Sequence, residues 1–163
     1  MKIKGNVWVL GDDIDTDIII PTEYLAMKSI DDMKQYAFSP LRPKLAASIR
    51  PGDIIVAGKN FGCGSSREQA PEIIKSLQVG CVIAKSFARI FYRNAINNGL
   101  LLAEHDLLPE LVTEGDEITV SVGEYIEHKG KRYDLSPLPP NLMEIIEAGG
   151  LVEAMKKKNA RNY

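Results

Sequence analysis

The segment 51–99 constrains the fold most. Asp53–Gly58 (DIIVAG) is an apolar run entered by the turn pair Pro51-Gly52, the pattern of a strand buried on both faces. Glu68–Gln78 then carries Ala70, Ile73, Ile74 and Leu77 at the spacing of one helix face. Cys81–Ala84 is a second, β-branched run. Phe87–Asn98 returns to helical spacing at Phe87, Ile90, Phe91, Ala95 and Ile96, and Gly99 suits a C-terminal cap. Strand, helix, strand, helix predicts a parallel βαβ unit, because parallel strands need a crossover.

The flanking segments are shorter. Ile3–Leu10 reads as a first strand, weakened by Gly5. Gly11–Asp17 is an aspartate-rich turn, and Ile18–Ile20 is a brief apolar run closed by Pro21. Asp31–Phe38, capped by Asp31, and Leu41–Ile49 read as short helices. Glu117–Glu127 and Lys131–Leu135 flank His128-Lys129-Gly130 as a hairpin. Pro137–Pro140 is a stiff connector. Asn141–Ala148 is a helix stopped by Gly149-Gly150, and Leu151–Lys158 adds a last helical turn or two. With 163 residues, 45% of them hydrophobic, the expectation is one α/β domain over residues 1–163 with a mixed sheet.

A net charge of −2 argues against a nucleic-acid binder that works by bulk positive charge. The cluster Lys156–Lys158 with Arg161 reads as a solvated tail. No apolar run approaches a membrane span, and no apolar stretch follows Met1–Gly5 as a signal peptide requires. Two cysteines, Cys63 and Cys81, make no disulfide framework, so a cytoplasmic location is the default. They also cannot complete an iron–sulfur or zinc site, and the two histidines, His105 and His128, lie far apart. The expectation is that this chain holds no metal by itself.

Asn60–Pro71 (NFGCGSSREQAP) lies where the DIIVAG strand gives way to the next helix. Ligands of α/β sheets bind at the carboxyl ends of strands, and a helix N-terminus there offers free amides to an anion. Arg67 adds a planar fork suited to a carboxylate or phosphate. A second reading stands beside this one: Ser65 to Glu68, and Ser66 to Gln69, fit the capping box S-x-x-E/Q. Pro71 bears on the choice, since proline belongs in the first helical turn. It predicts that the regular helix starts near Glu68–Ala70, which leaves Ser65, Ser66 and Arg67 in the loop.

GKNFGCGSSREQAP resembles the signature of the swivel domain of aconitase-type hydro-lyases. GDDIDTDIIIP (Gly11–Pro21) and KSFARIFYRNAINNGLL (Lys85–Leu101) resemble its other two signatures, in the same order. The likeness spans nearly the whole chain and is greatest to the separate small subunits of the isopropylmalate isomerase branch. It implies a three-layer β/β/α swivelling domain and a hydro-lyase active only with a large subunit, which carries the [4Fe-4S] cluster. Interconversion of 2- and 3-isopropylmalate, a step of leucine biosynthesis, is the reaction implied. By the family pattern Ser65 is the base that takes the proton from carbon. Arg67 binds a substrate carboxylate, Ser66 assists, Gly64 belongs to the same substrate-binding loop, and Asp17 orients a catalytic side chain or proton path. The other three aspartates, Asp12, Asp13 and Asp15, read as structural.

Tyr24-Leu25-Ala26-Met27 resembles the segment that sorts substrates in this family; relatives that act on an extra carboxylate carry arginine where Ala26 stands. Ala26 and Met27 suit an apolar group, worth about 0.8 kcal/mol per buried methylene, and offer a carboxylate no partner. A homoaconitase small subunit and a dual-specificity enzyme are the alternatives within the family. The resemblance implies a heterodimer or heterotetramer with the large subunit, and a homo-oligomer is the option for the isolated chain. A non-catalytic anion-binding or assembly subunit is the alternative from another class.

Overall fold

The strands are β1 (Lys2–Val9), β2 (Ile54–Val56), β3 (Cys81–Ala84), β4 (Leu102–Glu104), β5 (Glu117–Ser121), β6 (Tyr125–His128) and β7 (Lys131–Asp134). In this computed structural model, which describes residues 1–161, they form one seven-stranded sheet ordered β4-β3-β2-β1-β5-β6-β7. Asn162 and Tyr163, the last residues of the expected domain, lie outside the described residues. β1 is shared between two regimes. Val7–Val9 pair in parallel with Ile54–Val56, while Lys2–Asn6 pair antiparallel with Glu117–Ser121. The parallel half continues through β3 and β4, and the antiparallel half through β6 and β7. The mixed sheet is as the sequence indicates.

The helices are α1 (Thr16–Ile19), α2 (Ile30–Met33), α3 (Leu45–Ser48), α4 (Gln69–Ser76), α5 (Arg89–Asn97), α6 (Leu108–Leu111), α7 (Pro140–Ala148) and α8 (Leu151–Arg161). The crossover helices α4 and α5 pack on each other, so both lie on one face of the parallel strands. The antiparallel half curls over the opposite face. Val120 and Val122 face Leu101–Ala103 across a cavity of about 370 Å³. His105, just past β4, meets Tyr133 of β7 with ring centroids 5.7 Å apart. This curl gives the β/β/α layering. Ile54, Ile55, Ile73, Ile74, Ile83 and Phe61 are fully buried between the layers.

Several local expectations change. Gly5 does not weaken β1. A Cβ there would collide with the carbonyl of Gly52, so glycine lets β1 pass over the turn that enters β2. α1 forms inside the expected turn because the Asp15 side chain accepts from the Ile18 amide at 2.8 Å. α2 is capped by Ser29, not Asp31; the Ser29 hydroxyl accepts from the Asp32 amide at 3.1 Å. Pro43 keeps Arg42 out of helix, which trims Leu41–Ile49 to α3. Gly123, at φ 70°, splits Glu117–Glu127 into β5 and β6. β4 and α6 are additional, and α8 runs past Lys158 to Arg161.

Gly149, at φ 92°, ends α7 as expected. The Lys75 ammonium on α4 donates to the carbonyls of Asn98 at 2.5 Å and Gly149 at 2.6 Å, at the ends of α5 and α7. One cation thus serves two helix C-termini.

Candidate functional site

Three loops meet at the carboxyl ends of β1, β2 and β3, and each holds one of the three sequence signatures. Gly11–Pro21 and Gly58–Cys63 are zipped together by main-chain bonds. Gly58 donates to Gly11 (3.1 Å), Asp13 to Lys59 (2.8 Å), Gly62 to Ile14 (2.7 Å) and Thr16 to Cys63 (3.0 Å). The third loop closes on the second: Lys85 donates to Gly58 (3.0 Å), Phe61 to Ser86 (3.0 Å) and Ala88 to Phe61 (2.9 Å).

The structural aspartates act as expected. Asp12 accepts from the Lys59 amide at 2.8 Å, Asp13 from the Asn60 side chain at 3.1 Å, and Asp15 caps α1. Gly62, at φ 83°, is demanded by packing as well as by its dihedral. A Cβ there would lie 2.5 Å from Phe91 Cβ and closer still to its ring, within the Phe61–Phe87–Phe91 cluster.

α4 begins at Gln69, with Glu68 in the cap position and Pro71 in the first turn. The position expected from Pro71 holds, and the capping-box reading does not: neither Ser65 nor Ser66 caps the helix. Both serines are exposed. Their hydroxyls have no hydrogen-bond partner among the described residues, and the amides of Gly64, Ser65, Ser66 and Arg67 likewise donate to none. The loop is nonetheless anchored. The Thr16 hydroxyl, 2% exposed, donates to the Ser65 carbonyl at 2.8 Å.

Arg67 is 13% exposed on its side chain. Its Nη1 donates to the Ile20 carbonyl at 2.9 Å and its Nη2 to the Thr22 hydroxyl at 2.9 Å. Nη2 also lies 2.5 Å from Asp17 Oδ1, whose side chain is 61% exposed. So Asp17 pairs with Arg67. Gly64, Ser66 and Arg67 line a cavity of about 240 Å³ with Thr16, Ile90 and Asn94. Ser65, Asp17, Ala26 and Met27 are not among its lining residues. Ala26 is exposed, and Met27 is half-buried against the core. They follow the single turn Thr22–Tyr24, which starts at the residue that holds Arg67.

Thr16 and Thr22 had escaped sequence reading. Each acts through a partner 45 or more residues away. The signal available was a threonine on each side of Ile18-Ile19-Ile20-Pro21.

Burial chiefly, and then Asp13 and Asp15, push the Cys63 thiol above its ordinary range. Burial alone raises that of Cys81 strongly. Both are free. Cys63 lies beyond the carboxyl end of β2 and Cys81 opens the parallel β3, so they stand at opposite ends of the sheet. This geometry fits no shared cluster. Among the described residues no group of three or more His, Cys, Asp or Glu is gathered for a metal, and no helix is long and apolar enough to cross a membrane. His105 accepts from the Leu107 and Leu108 amides, and buried His128 pairs with Asp116 at 2.8 Å.

The family model for the aconitase C-terminal domain matches residues 14–106, which span all three loops. The 3-isopropylmalate dehydratase small subunit of Lachnospira eligens is 70% identical over 158 residues, 97% of this chain and 96% of that one. The isopropylmalate/citramalate isomerase small subunit of Methanocaldococcus jannaschii is 47% identical over 170 residues, 98% of this chain and 97% of that one. The crystal structure of the 3-isopropylmalate dehydratase from that archaeon superposes with a TM-score of 0.93 at 41% identity, covering 99% and 98% of the two chains. The chain therefore belongs to the 3-isopropylmalate dehydratase small subunits, within the family of the aconitase C-terminal domain.

Proposed function

We propose that this chain supplies the proton-transfer and carboxylate-binding half of an isopropylmalate hydro-lyase and works with a large subunit. One observation carries the reading. Ser65 and Ser66 stand exposed on a run of unpaired amides, Gly64–Arg67, at the start of α4 and beside a guanidinium. Such a run favours an anion, and here two anions are involved.

The substrate's carboxylate binds the Arg67 fork and takes the place of Asp17. Ser65 Oγ accepts the proton from the carbon next to the one bearing the hydroxyl. A neutral serine hydroxyl is too weak a base, so Oγ first gives its own proton to solvent and acts as the alkoxide; free amides and the α4 dipole stabilise that charge until the proton from carbon neutralises it. Departure of the hydroxyl completes the loss of water across the carbon–carbon bond. Water then returns with its hydroxyl on the other carbon, which converts 2- into 3-isopropylmalate. Asp17, released from Arg67, then takes part in the proton path.

The leaving hydroxyl needs a Lewis acid, supplied by the [4Fe-4S] cluster of the partner subunit. Cys63 and Cys81, at opposite ends of the sheet, fit no cluster of this chain's own. The exposed Ala26 and half-buried Met27 present no charge to the substrate's variable group, which suits an isopropyl side chain. The Methanocaldococcus relative carries citramalate in its name as well, so a smaller side chain is the second substrate to test. We take residues 1–163 as one domain, since β1 pairs with both halves of the sheet, and place it in the cytoplasm as a free-thiol protein.

The test is Ser65→Ala reconstituted with the cognate large subunit and assayed on 2-isopropylmalate, citramalate and homoaconitate. Turnover falls by a factor on the order of a thousand while assembly is retained. Near-normal turnover rules out Ser65 as the base.

A further inference from the structure

We propose that Thr22 is a positioning residue for Arg67 and ties the carboxylate clamp to the substrate-sorting segment. The inference rests on the role given to Arg67 above.

A hydroxyl can accept from a guanidinium and donate to a carboxylate at the same time. Thr22 does both. Its Oγ1 accepts from Arg67 Nη2 at 2.9 Å and donates to Asp17 Oδ1 at 3.3 Å. Arg67 Nη1 is fastened to the Ile20 carbonyl. The two ends of the fork are therefore held by the residues on either side of Pro21, whose ring fixes the backbone between them.

The same residue opens the sorting segment. The Thr22 carbonyl accepts from the Leu25 amide at 3.1 Å, and the Tyr24 carbonyl accepts from the Met27 amide at 3.1 Å. The Tyr24 ring stacks on Tyr36 at 4.0 Å, which pins the turn to the body of the protein. A shift of Ala26-Met27 on meeting a substrate side chain thus reaches Arg67 through the carbonyl and the hydroxyl of one residue.

The hydroxyl also eases exchange of partners on Arg67. A substrate carboxylate must displace Asp17. Thr22 keeps a donor for Asp17 when that happens, so the displaced carboxylate is not left to water alone. Without the hydroxyl, Asp17 stays the better-placed anion and the fork is held by one bond fewer. Arg67 holds the substrate carboxylate throughout the reaction, so the defect falls on KM more than on kcat.

The experiment compares wild-type, Thr22→Val and Thr22→Ser complexes reconstituted with the large subunit, on 2-isopropylmalate. Thr22→Val raises KM about tenfold with kcat within about threefold, the scale of one charge-assisted hydrogen bond, and Thr22→Ser stays within about twofold of wild type. An unchanged KM in Thr22→Val, or a fall in kcat alone that Thr22→Ser does not rescue, overturns the assignment. A wild-type complex that fails to convert 2-isopropylmalate instead overturns the proposed function. The assignment is then decided on the isolated chain labelled at arginine, by the NMR rate of rotation about the Arg67 Cζ–Nη bonds. That rotation is slow in wild type and Thr22→Ser and about tenfold faster in Thr22→Val, as loss of a bond to Nη2 requires. Equal rates in all three overturn it.

Discussion

Gly62→Ala separates two roles that a glycine can play in this loop. Gly62 sits at φ 83°, where an L-residue costs about 1–2 kcal/mol. Its new Cβ would also lie 2.5 Å from Phe91 Cβ. Phe91 is 4% exposed and packed against Phe61 and Phe87, so moving it breaks up that aromatic cluster. Forcing it aside is overpacking, about 1–3 kcal/mol. The sum is about 2–5 kcal/mol, against about 5–15 kcal/mol for the stability of an ordinary domain, and corresponds to a Tm drop of about 4–20 °C. Gly64 is the internal control. Its φ is 90°, but a Cβ there meets Asp15 Cβ at 3.5 Å, ordinary contact. Gly64→Ala should therefore lose only the dihedral term, about 1–2 kcal/mol. Urea unfolding of the wild type and both variants, with m-values checked for constancy, measures the difference. Equal losses in the two variants would refute the argument that Phe91 demands a glycine at position 62.

Other outcomes follow from the same contacts. Lys75→Met removes the cation shared by the Asn98 and Gly149 carbonyls and should destabilise by about 1–2 kcal/mol, read from urea midpoints at constant m-value; a change near zero would dissolve the shared-cap idea. Glu110 beside Lys85, Glu114 beside Arg42, and Asp116 bonded to the Thr113 amide and His128 are all held below their ordinary carboxylate values. A depressed folded-state pKa gives stability that is complete above the ordinary value and is lost as pH falls through the folded value. Urea midpoints should therefore fall steadily from about pH 4.5 downward, and less steeply in Asp116→Asn. Under native conditions iodoacetamide should label Cys63 more slowly than an unhindered thiol, and Cys81 only after unfolding; equal labelling of both would contradict their placement.

The parallel half of the fold was legible because its apolar runs are long or strictly periodic. Cys81–Ala84 is a strand at the residues expected, and Pro71 located the start of α4. Short elements were less legible. Three residues of β4 carry no period, and Gly123 looks like any glycine until its φ of 70° turns β5 into β6. Helix caps misled where polar residues crowd: Ser29 rather than Asp31 caps α2, because only Ser29 has an extended backbone with its hydroxyl aimed at the Asp32 amide. The loop that holds Ser65, Ser66 and Arg67 was visible in the sequence. The partners of Arg67 were not, since Ile20 and Thr22 reach it only once the first two loops zip together.

β1 has a consequence in time as well as in space. It precedes the other six strands in the chain and sits in the middle of the sheet, with β2 on one side and β5 on the other. Val7–Val9 can pair once Ile54–Val56 has emerged, but Lys2–Asn6 must wait for Glu117–Ser121. At about 5–20 residues per second of synthesis, that wait is on the order of ten seconds. For that interval half of a central strand shows an unpaired edge to the cell. Lys2–Asn6 are made well before their partners and are among the last residues to be enclosed, so the nascent subunit is most open to mispairing before its antiparallel half arrives.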